Sequence, residues 1–201
     1  MILNELPVSI KTYRITMPKL NILYPVIEEL ANSIVQQRIN NTILNEVNLL
    51  LHLQGYPQKP KTEWTGHYEI KTNERGTISL SLFNYAFSGG AHGLTLQKSL
   101  TFDVETGKLY TLQDLFVHDL DYVGSLSDII EQQIKGRNIP LLFEFKTIRP
   151  DQDFYIADKS LVVYFQVNEI TEYVYGFQYF PISVYTIQNI INEQPLGKMI
   201  Y

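Results

Sequence analysis

The stretch "NYAFSGGAHGLTL", Asn84–Leu96, carries two adjacent glycines, a histidine and a third glycine behind a run of aromatic residues. Read as a phosphate cradle, it would lie between a strand and a helix and place the chain among α/β folds. Read as a turn, it would join two antiparallel strands. Phosphate loops space their glycines so that several N–H groups and a helix N-terminus converge on the anion. "SGGAHG" has neither the G-x-G-x-x-G nor the G-K-[ST] pattern, and Leu94, Leu96, Leu100, Phe102 and Val104 continue at the spacing of an extended chain. The stretch therefore reads as a turn. Gly89 and Gly90 are expected to take positive φ or to let backbones approach closely, with His92 hydrogen-bonded to keep the loop shaped.

Both flanks agree with a hairpin. Trp64, Tyr68 and Ile70 alternate with polar partners, "NERG" at Asn73 to Gly76 makes a turn, and Ile78, Leu80 and Leu82 form the return strand. "ETGK" at Glu105 to Lys108 is a further turn, so three antiparallel strands follow one another. Earlier in the chain, Asn32 and Ser33 can cap a long helix in which Ile34, Val35, Ile39, Ile43, Val47, Leu50 and Leu51 recur near helical spacing. Gly55 and Pro57 end it, and Pro7 to Tyr24 reads as one or two strands.

A second helix is predicted around Leu120 to Lys135, with Val123, Leu126, Ile130 and Ile134 on one face and Gly136 at its end. "DFYIADKSLVVYFQV" reads as a hairpin turning at Asp158-Lys159, followed by a strand near Phe180 to Ser183. A short helix through Ile187, Ile190 and Ile191 is stopped by Pro195. Strands in meanders with few helices indicate an α+β fold: antiparallel meander sheets packed by a long N-terminal helix, a mid-chain helix and a short C-terminal one. With no Pro/Gly/Ser-rich linker, low-complexity tract or repeat, residues 1–201 read as a single compact unit. Its sub-regions are 1–90, the N-terminal helix plus hairpin, and 91–201, the C-terminal sheet plus helices.

Composition narrows the function. The chain has 201 residues, 45% hydrophobic and 18% charged, with a net charge of −5 and no cysteine. Interspersed charge with no Lys/Arg run argues against nucleic acid as a partner and against a polybasic membrane surface. The lack of cysteine removes disulfides, thiolate catalysis and sulfur-ligated metals. No apolar stretch approaches the ~20 residues that span a bilayer. Taken as the natural start, "MILNELPVSIKTYRIT" lacks the basic and apolar regions of a signal peptide and points to the cytoplasm; a truncated start would point outside the membrane.

No catalytic set assembles along the chain. Ser88 and His92 suggest a nucleophile and base, yet no G-x-S-x-G occurs and no third member is identifiable. His52, His67 and His118 are scattered without zinc-ligand spacing, so no metal and no cofactor is expected. Asp151 with Asp153, or Glu169 with Glu172, could serve acid–base chemistry, though paired surface acids are common. Aromatic content is more informative: the chain has 14 tyrosines and 10 phenylalanines. "EYVYGFQYF" concentrates Tyr173, Tyr175, Phe177, Tyr179 and Phe180, and such rings serve either a core or a protein- or sugar-binding surface.

Taken in order, "YPVIEELANSIVQQRINNTI", "ISLSLFNYAFSGGAHG", "FDVETGKLYTLQDLF", "DFYIADKSLVVYF" and "NEITEYVYGFQYFPIS" resemble a known family. It is the pair of domains of unknown function in the extracytoplasmic part of lysozyme-sensing anti-sigma factors, which also precedes the catalytic domain of a peptidoglycan N-acetylmuramic acid deacetylase. The matching positions are Ser88, Gly89, Gly90, Ala91, His92, Gly93, Asp103, Thr106, Gly107, Asp114, Phe116, Tyr155, Glu169 and Gly176. The resemblance implies an α+β fold and a binding or sensing role, with a lysozyme-like protein or a peptidoglycan fragment as partner. Together these readings make Ser88, Gly89, Gly90, His92, Tyr173, Tyr175 and Phe177 the expected binding residues, with no catalytic residue. The alternatives are a hydrolase using His92 with Asp103, Asp151 or Glu169, and a homo-oligomer whose aromatic patch is its own interface.

Overall fold

In the computed structural model, which describes residues 8–59 and 61–200, the chain folds into two compact units, Met1–Leu109 and Tyr110–Tyr201. Pro7, the expected start of the first strand, and the rest of the "MILNELP" start lie outside the described residues.

The first unit is a five-stranded sheet with one long helix. Strands β1 (Ser9–Met17) and β2 (Leu20–Glu28) are antiparallel, and helix α1 (Ser33–Leu53) follows. Then come β3 (Glu63–Glu74), β4 (Thr77–Phe87) and β5 (Leu94–Asp103), giving the order β1-β2-β3-β4-β5. The Asn32 side chain caps α1 by accepting from the Ile34 and Val35 N–H groups, as a short polar side chain does at a helix start. Val35, Ile39, Ile43, Val47, Leu50 and Leu51 are buried, whereas Ile34, expected on the same face, is 70% exposed. Their stripe packs with Ile22, Ile27, Trp64, Ile78, Leu80, Leu82, Leu100 and Phe102 in one cluster. The β3–β4 hairpin closes on Arg75 (φ 52°) and Gly76 (φ 70°), the two positive angles of a two-residue turn. The sheet continues past residue 90, since Ala86 pairs with Leu94 and Thr77 with Asp103 across β4 and β5.

The sheet is mixed rather than a pure meander, because β2 and β3 pair in parallel through Leu20–Ile22 and Trp64–Gly66. Parallel neighbours need a long crossover, and α1 occupies that connection.

The second unit holds helix α2 (Tyr122–Arg137) and the antiparallel strands β6 (Phe154–Ala157), β7 (Ser160–Phe165) and β8 (Gln178–Ser183), in the order β6-β7-β8. Leu126, Ile130 and Ile134 of α2 are buried with Leu161, Val163, Phe180 and Ile182 in a separate cluster. Helix α2 passes through Gly136 and ends where Asn138 adopts the left-handed conformation. The fold class is α+β, as the sequence indicates. The expected C-terminal helix is replaced by turns over residues 184–190 and a 3-10 turn at Gly197–Met199. Backbone groups there bond elsewhere: the Val117 N–H donates to the Ile190 carbonyl at 2.9 Å and the Asn192 N–H to the Leu115 carbonyl at 2.8 Å.

Candidate functional site

The glycine loop is held at its base by its own unit. Gln54, buried at the end of α1, donates from Nε2 to the Asn84 carbonyl (2.9 Å) and the Leu94 carbonyl (2.8 Å), joining the two strand ends. Ser88 shares a 2.7 Å hydrogen bond with the buried Thr62 hydroxyl. Gly89 and Gly90 have φ of 92° and 104°, and a Cβ on either would meet nothing within 4 Å. Positive φ rather than crowding is what calls for glycine at these two positions, and the steric requirement lies at Gly93. A Cβ there would come within 3.0 Å of the Ala86 carbonyl oxygen and the Tyr85 ring, whose hydroxyl accepts the Gly93 N–H at 3.2 Å. His92 is exposed, with Nδ1 3.2 Å from the Gly93 carbonyl oxygen.

The other polar residues of the motifs also serve turns. Asp103 Oδ1 accepts from the N–H groups of Glu105 (3.1 Å) and Thr106 (2.7 Å) and from the Thr106 hydroxyl (2.8 Å). Gly107 (φ 72°) brings this turn against α1, where Arg38 Nη1 donates to the Thr106 carbonyl at 3.0 Å. Asp103 also ends β5, whose ten residues separate it from the His92 end by roughly 30 Å at ~3.3 Å per residue. In the second unit, Asp114 Oδ2 accepts from the Thr111 N–H (2.8 Å) and hydroxyl (2.7 Å), closing a capping motif over a short 3-10 turn.

Glu169 accepts from the Gln166 N–H at 2.6 Å and pairs with Arg149, which also lies 3.5 Å from Asp151. Asp153 accepts from Gln166 Nε2 at 3.1 Å. Burial works against the Arg149 charge, but the hydrogen bond and charge of Glu169, with Asp153 and Asp151 behind it, hold the guanidinium above its ordinary pKa. Among the described residues, no group of three or more histidines and carboxylates is placed to hold a metal ion.

The aromatic C-terminal third behaves differently. A 3-10 turn, Tyr173–Tyr175, ends at Gly176 (φ 65°) and leads into β8. Tyr175, Phe177, Gln178 and Tyr179 then line a cleft of about 470 Å³ opposite Arg137, Asn138, Ile139 and Pro140 at the end of α2. Tyr175 is 50% exposed, and the Phe177 and Tyr179 rings stand 6.1 Å apart at 36°. Tyr173 is half-buried and does not line this cleft. Of the expected binding residues, the structure thus brings Tyr175 and Phe177 together, while Ser88, Gly89, Gly90 and His92 belong to the other unit.

A second cleft of the same unit, about 610 Å³, was not anticipated. Phe143, Phe145 and Phe165 line it beside Lys146, Arg149 and Glu169. Phe143 is 58% exposed in an irregular segment, and the alternation in "LLFEFKTI" was its only sequence signal.

Comparison with known proteins matches each unit separately. Residues 16–95 match the family model described as deacetylase PdaC, and residues 113–185 match the one described as a protein of unknown function, DUF3298. The two matches follow one another along the chain, and each covers less than half of it. The division between its compact units, at Leu109 and Tyr110, falls between the two matched stretches. The chain is 25% identical over 145 residues to the peptidoglycan-N-acetylmuramic acid deacetylase PdaC of Bacillus subtilis (strain 168), an alignment covering 69% of this chain and 31% of that protein. It is 28% identical over 183 residues to the anti-sigma-V factor RsiV of the same organism, covering 83% of this chain and 63% of RsiV. The chain therefore spans less than two thirds of the length of either relative.

Two solved structures share the fold. A DUF3298 family member from Bacteroides fragilis NCTC 9343 superposes with a TM-score of 0.68 at 14% identity, covering 98% of this chain and 97% of that one. A DUF3298 family protein from Pseudomonas aeruginosa PAO1 gives 0.65 at 13% identity, with 94% and 96% covered. The glycine loop thus lies in the PdaC-like unit and the aromatic cleft in the DUF3298-like unit.

Proposed function

We propose that the chain is a non-catalytic binding module that recognises a protein or a cell-wall glycan through the aromatic cleft of its DUF3298-like unit. The observation carrying this reading is that Tyr175 and Phe177, residue types that form recognition surfaces, share one open cleft with Tyr179 and Arg137. Of the candidate acids, Asp103 and Glu169 accept hydrogen bonds that shape their own turns. Relatives support a recognition role. One is named as a peptidoglycan-N-acetylmuramic acid deacetylase and the other as an anti-sigma-V factor, and the chain covers only 31% and 63% of them. A module shared by an enzyme and a regulator is suited to supplying recognition, with other parts of each protein supplying the rest.

Calorimetry against muropeptides and against lysozyme tests the proposal. Binding to one of them is expected, weakened about tenfold by Tyr175→Ala or Phe177→Ala, the order of effect for an aromatic anchor, with the fold retained. No heat with either partner would remove both from consideration.

A further inference from the structure

The cleft proposed as the binding site carries a positive charge that no acid among the described residues pairs with. Arg137 Nη1 donates to the Tyr179 carbonyl at 2.7 Å, and its guanidinium lies 5.2 Å from the Phe180 ring centroid. These contacts orient the group without neutralising it. Other cations of the unit differ: Lys135 pairs with Glu131 at 2.8 Å, and Arg149 with Glu169 and Asp151.

An oriented guanidinium keeps further N–H donors in a planar fork that matches a carboxylate. A lone cation suits a single negative charge better than the roughly −1.5 to −2 of a phosphate group. The partial negative charge of the α2 C-terminus opposes any anion, but the Asn138 and Ile139 N–H groups already cap its carbonyls at Lys135 (3.2 Å) and Ile134 (3.1 Å).

The remaining walls suit a sugar. Tyr175 and Asn138 line the cleft, and the Tyr175 hydroxyl and the Asn138 side-chain amide make no hydrogen bond among the described residues, so both have bonding capacity to offer. Tyr175, Phe177 and Tyr179 supply ring faces for the C–H face of a pyranose, and about 470 Å³ is within the ~300–1,000 Å³ of small-molecule sites.

Resting on the binding reading above, we propose that this cleft takes a sugar that carries a carboxylate, with Arg137 engaging the carboxylate and the rings stacking on the sugar.

Three disaccharides titrated against the whole chain test it: N-acetylglucosaminyl-N-acetylmuramic acid, its methyl ester, and diacetylchitobiose. The free acid is expected to bind roughly tenfold more tightly than the other two, the scale of one charge-assisted pair, and Arg137→Gln is expected to erase that advantage alone. Equal binding of all three would overturn the carboxylate assignment and leave the aromatic cleft standing as a sugar site. Binding of none would overturn the sugar assignment, and lysozyme binding sensitive to Tyr175→Ala would then keep the wider reading as a protein-binding module. Should Arg137→Gln fail to fold, the acid and ester compared on the unaltered chain decide the matter.

Discussion

The glycine loop and the aromatic cleft differ in what their polar groups have left to give. In the loop, Gln54, Thr62 and Tyr85 bind the backbone and Ser88 from within the same unit. In the cleft, Arg137 is oriented but paired with no acid among the described residues, and the Tyr175 hydroxyl is unengaged by them. A motif rich in glycine and hydroxyls draws the eye because those residue types build turns as well as sites. The useful distinction is bonding capacity left over after the backbone has been satisfied, and by that measure the cleft is the better candidate for recognition.

The largest expected effect tests which glycine the loop needs. Gly93→Ala forces a Cβ onto the Ala86 carbonyl and the Tyr85 ring, so it should cost about 3 kcal/mol by urea denaturation. Gly90→Ala meets open space and faces only its φ of 104°, a cost of about 1 kcal/mol. Equal costs at the two positions would mean that the crowding at Gly93 is relieved by movement of both the Ala86 carbonyl and the Tyr85 ring.

Next in size is Asp103→Ala, which removes the acceptor of two backbone N–H groups and one hydroxyl at the end of β5. A loss of about 2 kcal/mol is expected, comparable to the stronger helix-cap deletions. Unchanged stability with loss of a measured hydrolysis would instead give Asp103 a chemical role and invert the contrast between loop and cleft.

How far the sequence could be read depended on how local the determining interactions were. Asn32 and the stripe from Val35 to Leu51 declare α1, and Arg75-Gly76 declares its turn, because cap, period and positive φ act over a few residues. Tyr175 and Phe177 were legible as surface-forming types, but Arg137 was not, since the end of α2 meets β8 only through tertiary packing. The parallel pairing of β2 with β3 was likewise hidden, being settled across the whole length of α1. Near the C-terminus, Ile187 and Ile191 have helical spacing and are buried, yet their backbone follows the bridge between Phe116 and Ile191 and the hydrogen bonds of Asn192 to the Asp114 and Phe116 carbonyls. Spacing identified the apolar face there but not the backbone conformation, because a non-local partner took the bonds a helix would have made.

The smallest expected effect belongs to His92, the residue on which a catalytic reading of the loop depends most. Its ring is exposed, and Gln54, Thr62 and Tyr85 hold the loop through other atoms. His92→Ala should therefore change stability by less than about 0.5 kcal/mol, as exposed substitutions do, and leave binding in the aromatic cleft unaltered. A loss above ~1 kcal/mol would make His92 a brace of the loop, because removing a solvent-exposed ring that braces nothing does not carry such a cost. Turnover of a hydrolysable substrate that disappears in this variant while the fold stays intact would make the loop the site of chemistry and reduce the cleft to a place where substrate is held.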